Sequence, residues 1–349
     1  MEFKYGIESH IFVLSYCFSE QSMDPALKLS DIKALNIEIS SQCNARCPFC
    51  SRNQKVRPYG AHRISLTDFK HLPKQMLEGL RRITFAGNFG DLATNTEFPD
   101  IVAYIRSLNR DIALGGETNG SVQKERWWRS LGQWFDRGTM VFALDGLADT
   151  HGLHRIGTDF NGILRNIAAF TSAGGVAHWK FIVFEHNAHQ IKQAERLARD
   201  IGCARFFAMS SRSYNAVLKK PEGFDVPIKR ELFGFYRDVC SEEDACSLCK
   251  PFFSGTLYIA ADGSVHPCCF AHCMYITENN PLFRFIVPII EKYHTAINFK
   301  TTPLEEIISG SYFREVREKS KRNPYCITKC TPYKKKIRRD LIIHDRVFE

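Results

Sequence analysis

Cys43, Cys47 and Cys50 form a C-x3-C-x2-C run directly behind a short apolar stretch. Three thiolates crowded into one loop can hold an iron–sulfur cluster, but they leave its fourth iron without a protein ligand. A structural metal site closes its coordination, whereas a catalytic one keeps a position open. The spacing therefore points to a reactive centre. Its competitor is a zinc knuckle completed by a distant fourth ligand.

Further along lie Cys240, Cys246, Cys249, Cys268, Cys269 and Cys273, then Cys326-x3-Cys330. An Asp262-Gly263 pair between apolar runs signals a hairpin, which would bring Cys249 close to Cys268. Thirteen cysteines in a small exported chain would suggest disulfides. In a chain of 349 residues with no export signal, tight cysteine groups read as metal ligands in a reducing compartment. Cys17 and Cys203 stand apart and read as buried thiols. The apolar stretch 11–14 is far too short to cross a bilayer and lacks a basic n-region, so a cytoplasmic protein is expected.

The elements that must position these groups alternate regularly. Strands are expected over residues 34–40, 82–86, 111–115, 139–144, 179–184 and 205–209, with helices between them. A helix should start near Thr67, where Ser65 and Asp68 have capping-box spacing, and run towards Leu80 despite Pro73. Phe160, Ile163, Leu164, Ile167 and Phe170 share one helical face, and Gly174-Gly175 supply its stop. Six strands alternating with helices imply a parallel sheet with right-handed crossovers, whose chemistry sits at the carboxyl ends of the strands. Past Ser210 the alternation stops.

Composition is that of an ordinary globular protein, 44% hydrophobic and 24% charged. The net charge of +9 is concentrated between residues 314 and 339, where eleven Lys/Arg face two Glu. That basic segment could grip nucleic acid or an acidic peptide, or be a solvated tail.

The cysteine run and its place behind the first strand resemble the radical S-adenosylmethionine (SAM) enzymes. The resemblance implies a partial (β/α)6 barrel in which Cys43, Cys47 and Cys50 bind a 4Fe–4S cluster whose open iron chelates SAM. Phe49 falls where the family carries an aromatic beside the adenine. Gly87 and Asn88, after the second strand, fall where the family has Gly-Gly-Glu-Pro; Asn88 replaces the second glycine, and Asp91 is a candidate for the displaced acid. Thr118 and Asn119 resemble the Thr-Asn-Gly segment of the SAM pocket. Asp145, His151 and Arg155 resemble a Ser-Ile-Asp-Gly…His…Arg signature, which implies a ribose or water contact for Asp145 and a carboxylate contact for Arg155. Ser210 is a further candidate contact. His186, after the fifth strand, reads as a polar lining residue, with a metal-ligand or acid–base role as the competing reading.

Cys249, the Gly263-x4-Cys268 run and Cys326-x3-Cys330 resemble SPASM and shorter twitch domains, which bind auxiliary 4Fe–4S clusters. The resemblance implies one auxiliary cluster on Cys249, Cys268, Cys326 and Cys330, with Cys246 competing for Cys249 and Cys240, Cys269 and Cys273 left over for a second cluster; a tetrahedral zinc closed by four of these thiolates is the competing reading. The expected organisation is an N-terminal extension (1–33), a radical SAM core (34–215), a SPASM/twitch-like domain (216–333) and a basic tail (334–349). The implied activity is reductive cleavage of SAM to a 5′-deoxyadenosyl radical that abstracts hydrogen from a substrate. A peptide is the first choice, with a nucleotide, RNA or carbohydrate as alternatives. The expected partners are that peptide or small-molecule substrate and a flavodoxin- or ferredoxin-type electron donor, with no membrane. A non-catalytic iron–sulfur electron-transfer protein is the reading from another class.

Overall fold

The structure is a computed structural model that describes residues 26–223, 249–278 and 280–330, with the backbone alone of 345–347. Cys17, Cys240, Cys246 and the basic run 334–339 lie outside the described residues. Strands β1 (Ala34–Ile37), β2 (Arg82–Phe85), β3 (Ala113–Thr118), β4 (Gly138–Ala143), β5 (Ala177–Val183) and β6 (Arg205–Ser210) lie side by side in chain order, all parallel. Helices Phe98–Leu108, Glu125–Gly132, Phe160–Thr171 and Ile191–Asp200 make the crossovers from β2 onward.

Alternation along the strands divides the sheet into two unlike faces. One face carries Ile83, Phe85, Phe142 and Leu144, all buried. There Phe85 packs edge-on to Phe98 at 4.7 Å between ring centroids, and Phe142 lies 5.2 Å from Trp128 and 5.7 Å from Phe170. Burying such rings removes well over 100 Å² each from water and drives the helices onto this face. The opposite face carries Asn36, Thr84, Glu117, Thr139 and Lys180 beside the apolar Val141 and Ala143.

Three elements differ from the sequence reading; the simplest case is β1, which ends at Ile37, short of the expected residue 40. The helix expected from Thr67 towards Leu80 is two helices, Leu66–Phe69 and Lys74–Gly79. The capping box forms as read, with the Ser65 hydroxyl accepting from Asp68 N at 3.0 Å and Asp68 Oδ2 accepting from Ser65 N at 2.9 Å. Pro73 cannot donate within a helix and instead becomes the N-cap of the second one. Strand β3 starts and ends later than expected, since Gly115 and Gly116 weaken its pattern while Glu117 and Thr118 belong to it.

The sheet also does not end where the alternation stops. Strand β7 (Thr256–Ile259) pairs in parallel with β1, Asn36 opposite Tyr258, and β8 (Val265–His266) turns back antiparallel to β7. Strand β9 (Asp345–Val347) pairs antiparallel with β6 at the far edge. Gly255 makes the junction to β7: its φ of +58° is a left-handed turn, and a Cβ there would lie 2.2 Å from the Asp31 carbonyl oxygen.

Candidate functional site

The loop after β1 is held by its own backbone and by two basic or amide side chains. Arg52 Nη1 donates to the Cys43 carbonyl at 2.7 Å and Nη2 to the Ala45 carbonyl. Asn53 Nδ2 donates to the Cys47 carbonyl at 2.9 Å. This wraps the loop around a turn and keeps Cys43, Cys47 and Cys50 half-buried as free thiols. Burial pushes the Cys43 thiol up to about 11, with Asp91 adding to the shift. Burial likewise raises Cys47, opposed by the guanidinium of Arg155. Two N–H groups face the sulfurs: Asn119 Nδ2 is 3.5 Å from Cys43 Sγ, and Arg155 Nη1 is 3.8 Å from Cys47 Sγ. Donors of this kind stabilise thiolate charge and tune a cluster's potential.

The turn after β2 is built around a carboxylate that the sequence reading missed. Glu38, buried just beyond β1, accepts from Phe89 N at 2.7 Å and Gly90 N at 2.8 Å through Oε1. Its Oε2 accepts from the Tyr258 hydroxyl at 3.1 Å. Gly87 is required because a Cβ would lie 2.4 Å from Glu38 Oε1. Burial pushes Glu38 up to about 7 against the pull of these three hydrogen bonds. Asn88 turns towards β7, donating to the Tyr258 hydroxyl at 3.1 Å and to the Cys269 carbonyl at 2.9 Å.

Asp91, the candidate for the displaced acid, is buried and spends both oxygens on the protein. Oδ1 accepts from Thr118 Oγ1 at 2.8 Å and Ala93 N at 3.0 Å, and Oδ2 from Asn119 N at 2.7 Å. It thus locks the end of β2 to the end of β3. Thr118 Oγ1 in turn accepts from Gly120 N at 2.9 Å, and Asn119 Nδ2 reaches back to Asn44 Oδ1 at 3.0 Å. Thr118 is therefore buried beneath the mouth, while Asn119 touches the cysteine loop.

The end of β4 is organised the same way. Asp145 is wholly buried; Oδ2 meets His154 Nδ1 at 2.7 Å and Arg155 Nε at 2.5 Å, while Oδ1 accepts from Ile182 N at 2.6 Å. Burial alone would raise its pKa, but Arg155 and the His154 hydrogen bond outweigh it and hold the carboxyl well below the usual range. With both oxygens engaged, Asp145 supports Arg155 instead of facing open space. His151 Nδ1 accepts from Asp145 N at 3.2 Å, which leaves the proton on Nε2, 2.9 Å from Thr158 Oγ1. His151 is thus a neutral latch, and burial lowers it to about 4.

Other groups complete the mouth. The Phe49 ring lies 6.5 Å from that of His154. Ser210 is buried at the end of β6. The His186 ring stacks on Phe184 at 5.5 Å, and both its nitrogens are buried without a hydrogen bond. On the face opposite the helices' aromatic packing, Lys180 Nζ pairs with Glu117 Oε1 across β4. Burial lowers Lys180 to about 7, with Arg212 adding to the shift. Lys180 had shown itself in the sequence only as the single break in an apolar strand.

A second cysteine site lies beside β7 and β8. Cys249 precedes the helix Lys250–Ser254, Cys268 caps the helix Cys269–Thr277, and Cys326 and Cys330 lie one turn apart on Pro324–Cys330. The four line one narrow cleft, partly open to solvent and walled by Phe283, Phe285 and Val316. Burial raises Cys249 and Cys268 far above the ordinary thiol range and Cys326 up to about 12. Among the described residues, no three His, Cys, Asp or Glu side chains are gathered tightly enough to hold a single metal ion. An all-sulfur donor set of four thiols around one cleft suits a cluster. The three thiols of the first loop, faced by two N–H donors, suit one that keeps an open iron.

This architecture is a six-stranded parallel α/β core continued by a C-terminal iron–sulfur domain. Residues 246–331 match the SPASM family, an iron–sulfur cluster-binding domain. Among solved structures, the chain is similar to Streptococcus suis SuiB bound to its precursor peptide SuiA, at 15% identity and a TM-score of 0.53, covering 83% of this chain and 67% of SuiB. It is also similar to anSMEcpe with bound AdoMet, at 17% identity and a TM-score of 0.51, covering 85% and 87% of the two chains. The same protein with AdoMet and the Cp18Cys peptide gives 17% identity, a TM-score of 0.51 and 86% coverage of each chain. No curated protein sequence matches significantly. No helix among the described residues is long and apolar enough to cross a membrane.

Proposed function

We propose that the chain is a radical SAM enzyme in which Cys43, Cys47 and Cys50 hold a 4Fe–4S cluster at the mouth of the sheet, with Cys249, Cys268, Cys326 and Cys330 holding an auxiliary one. A cluster with one open iron would supply the electron that cleaves SAM to methionine and a 5′-deoxyadenosyl radical. The observation that carries this reading is the convergence of the ends of β1 to β4 on one loop: Asn119 at Cys43 and Arg155 at Cys47.

In this reading Arg155, aimed by Asp145, binds the SAM carboxylate through its planar fork. Asn119 orients the cysteine loop, and Thr118, through Asp91, fixes the segment that carries it. The backbone of Gly87 and the ring of Phe49 border the bound cofactor, with Ser210 across the sheet. The Glu117–Lys180 ion pair on the same face of the sheet would border the space a substrate occupies. The buried wall around the mouth excludes water and competing hydrogen donors.

A peptide is the substrate this reading favours. Two proteins of the same fold, SuiB and anSMEcpe, have been solved with peptides. Residues 34–215 would form the core and 216–333 the auxiliary domain, with electrons arriving from a flavodoxin or ferredoxin. The test is anaerobic reconstitution with iron and sulfide, chemical reduction and addition of SAM. Formation of 5′-deoxyadenosine supports the reading; none from a fully loaded, reducible protein refutes it.

A further inference from the structure

The position where the chain departs from the family pattern is the one that reaches furthest across the molecule. Asn88 replaces a glycine, and its side-chain amide uses both N–H groups. One goes to the Tyr258 hydroxyl at 3.1 Å and the other to the Cys269 carbonyl at 2.9 Å. Tyr258 belongs to β7, and Cys269 follows Cys268 at the lip of the second site's cleft. The Tyr258 hydroxyl donates onward to Glu38 Oε2 at 3.1 Å, and Glu38 Oε1 holds Phe89 N and Gly90 N. An unbroken polar chain therefore runs from the backbone beside Cys268 to the turn at the first site.

The surroundings make this chain stiff. Glu38 and Tyr258 are 2% and 1% exposed, so no water stands in for a lost partner. His272, one turn beyond Cys268, is wedged against Phe89, with ring centroids 5.5 Å apart, and against Tyr258 at 5.8 Å. A shift of the Cys268–Cys269 backbone must move Asn88 or break its bonds, and either disturbs the 87–90 turn.

We infer that Asn88 is a positioning residue that couples loading of the auxiliary cysteine site to SAM affinity at the first site, through Tyr258 and Glu38. The inference rests on the proposed radical SAM reading. Closing Cys268 onto a cluster fixes the Cys269 carbonyl, which fixes Asn88 and, with it, the turn that borders SAM. Coupling of this kind is reciprocal, so bound SAM also changes the auxiliary centre.

The test compares the parent with Asn88→Gly, each with and without Cys326→Ala, by anaerobic equilibrium dialysis with SAM. Glycine restores the family's residue in the turn and removes only the link. In the parent background, Cys326→Ala should weaken SAM binding by about 5- to 10-fold, whereas in Asn88→Gly it should leave affinity roughly unchanged. Where Cys326→Ala does not fold, the reciprocal measurement replaces it. SAM should shift the midpoint potential of the auxiliary cluster in the parent and not in Asn88→Gly. Equal responses in the two backgrounds, or no response in the parent, overturn the inference. A purely structural role would lower thermal stability while leaving the ratio of affinities unchanged. If no form with an assembled first cluster binds SAM, the functional reading falls as well.

Discussion

Arg155 is held by Asp145 at one end, Nε to Oδ2 at 2.5 Å, and faces Cys47 Sγ from Nη1 at the other, 3.8 Å away. The carboxylate thus aims a cation at the sulfur loop while taking no part in it. Asp145→Asn keeps the shape and removes the charge. A buried ion pair broken on one side costs about 3–5 kcal/mol. The urea midpoint should fall and SAM affinity should drop more than tenfold in variant protein that still folds. Unchanged SAM affinity would mean that Arg155 does not need its partner.

Loss of Cys47 should separate the two cysteine sites. Cys47→Ala is expected to abolish 5′-deoxyadenosine formation while retaining about half of the parent's iron and sulfide, since the second thiol set is distinct. Iron and sulfide analysis beside the visible spectrum reads this directly. Loss of all iron would show that the sites assemble together.

The fit of Gly87 against Glu38 gives a packing prediction. A methyl at Gly87 would meet Glu38 Oε1 at 2.4 Å, so Gly87→Ala should destabilise the protein by about 1–3 kcal/mol. Shortening the acid with Glu38→Asp makes room. The double variant should therefore be more stable than the sum of the two single changes predicts. Strict additivity in urea unfolding would place the cost elsewhere.

Acid should destabilise the fold through its buried imidazoles. Burial lowers His151 and His178 to about 4 and His266 and His272 to about 3. Unfolded, each titrates near 6.5. Below that pH the unfolded chain takes up protons that the folded one refuses, so stability is full above 6.5 and falls as pH drops towards 4. Glu38 acts in the opposite sense: with its folded value near 7 and an ordinary carboxyl value of 4.5, it favours folding as pH falls across that window, offsetting part of the loss. The urea midpoint should drop between about pH 7.5 and 5.5. A level or rising midpoint would mean that the imidazoles are not held neutral.

Much of this arrangement could be read from the sequence, for identifiable reasons. The cysteine runs are dense and local, and the six strands stand out because helices with clear apolar stripes separate them. The sequence also flagged Asn88 as a departure, without showing where its side chain goes. Glu38 and Tyr258 stayed hidden, because a polar residue in an alternating strand looks like a solvent-facing one until the partner strand is known. Glu117 and Lys180 depend on pairing across β4, a relationship between residues more than sixty positions apart. Strand β7 was legible as half of a hairpin, but not as the neighbour of β1.

That neighbour relationship limits how the molecule can be divided. With β7 hydrogen-bonded along β1, a chain shortened before Thr256 would bare a central strand edge and strip Tyr258 from Glu38. Exposed edges of that kind invite sticking between molecules. The C-terminal region is thus no detachable cassette, because its β7 completes the hydrogen bonding of the first strand of the core.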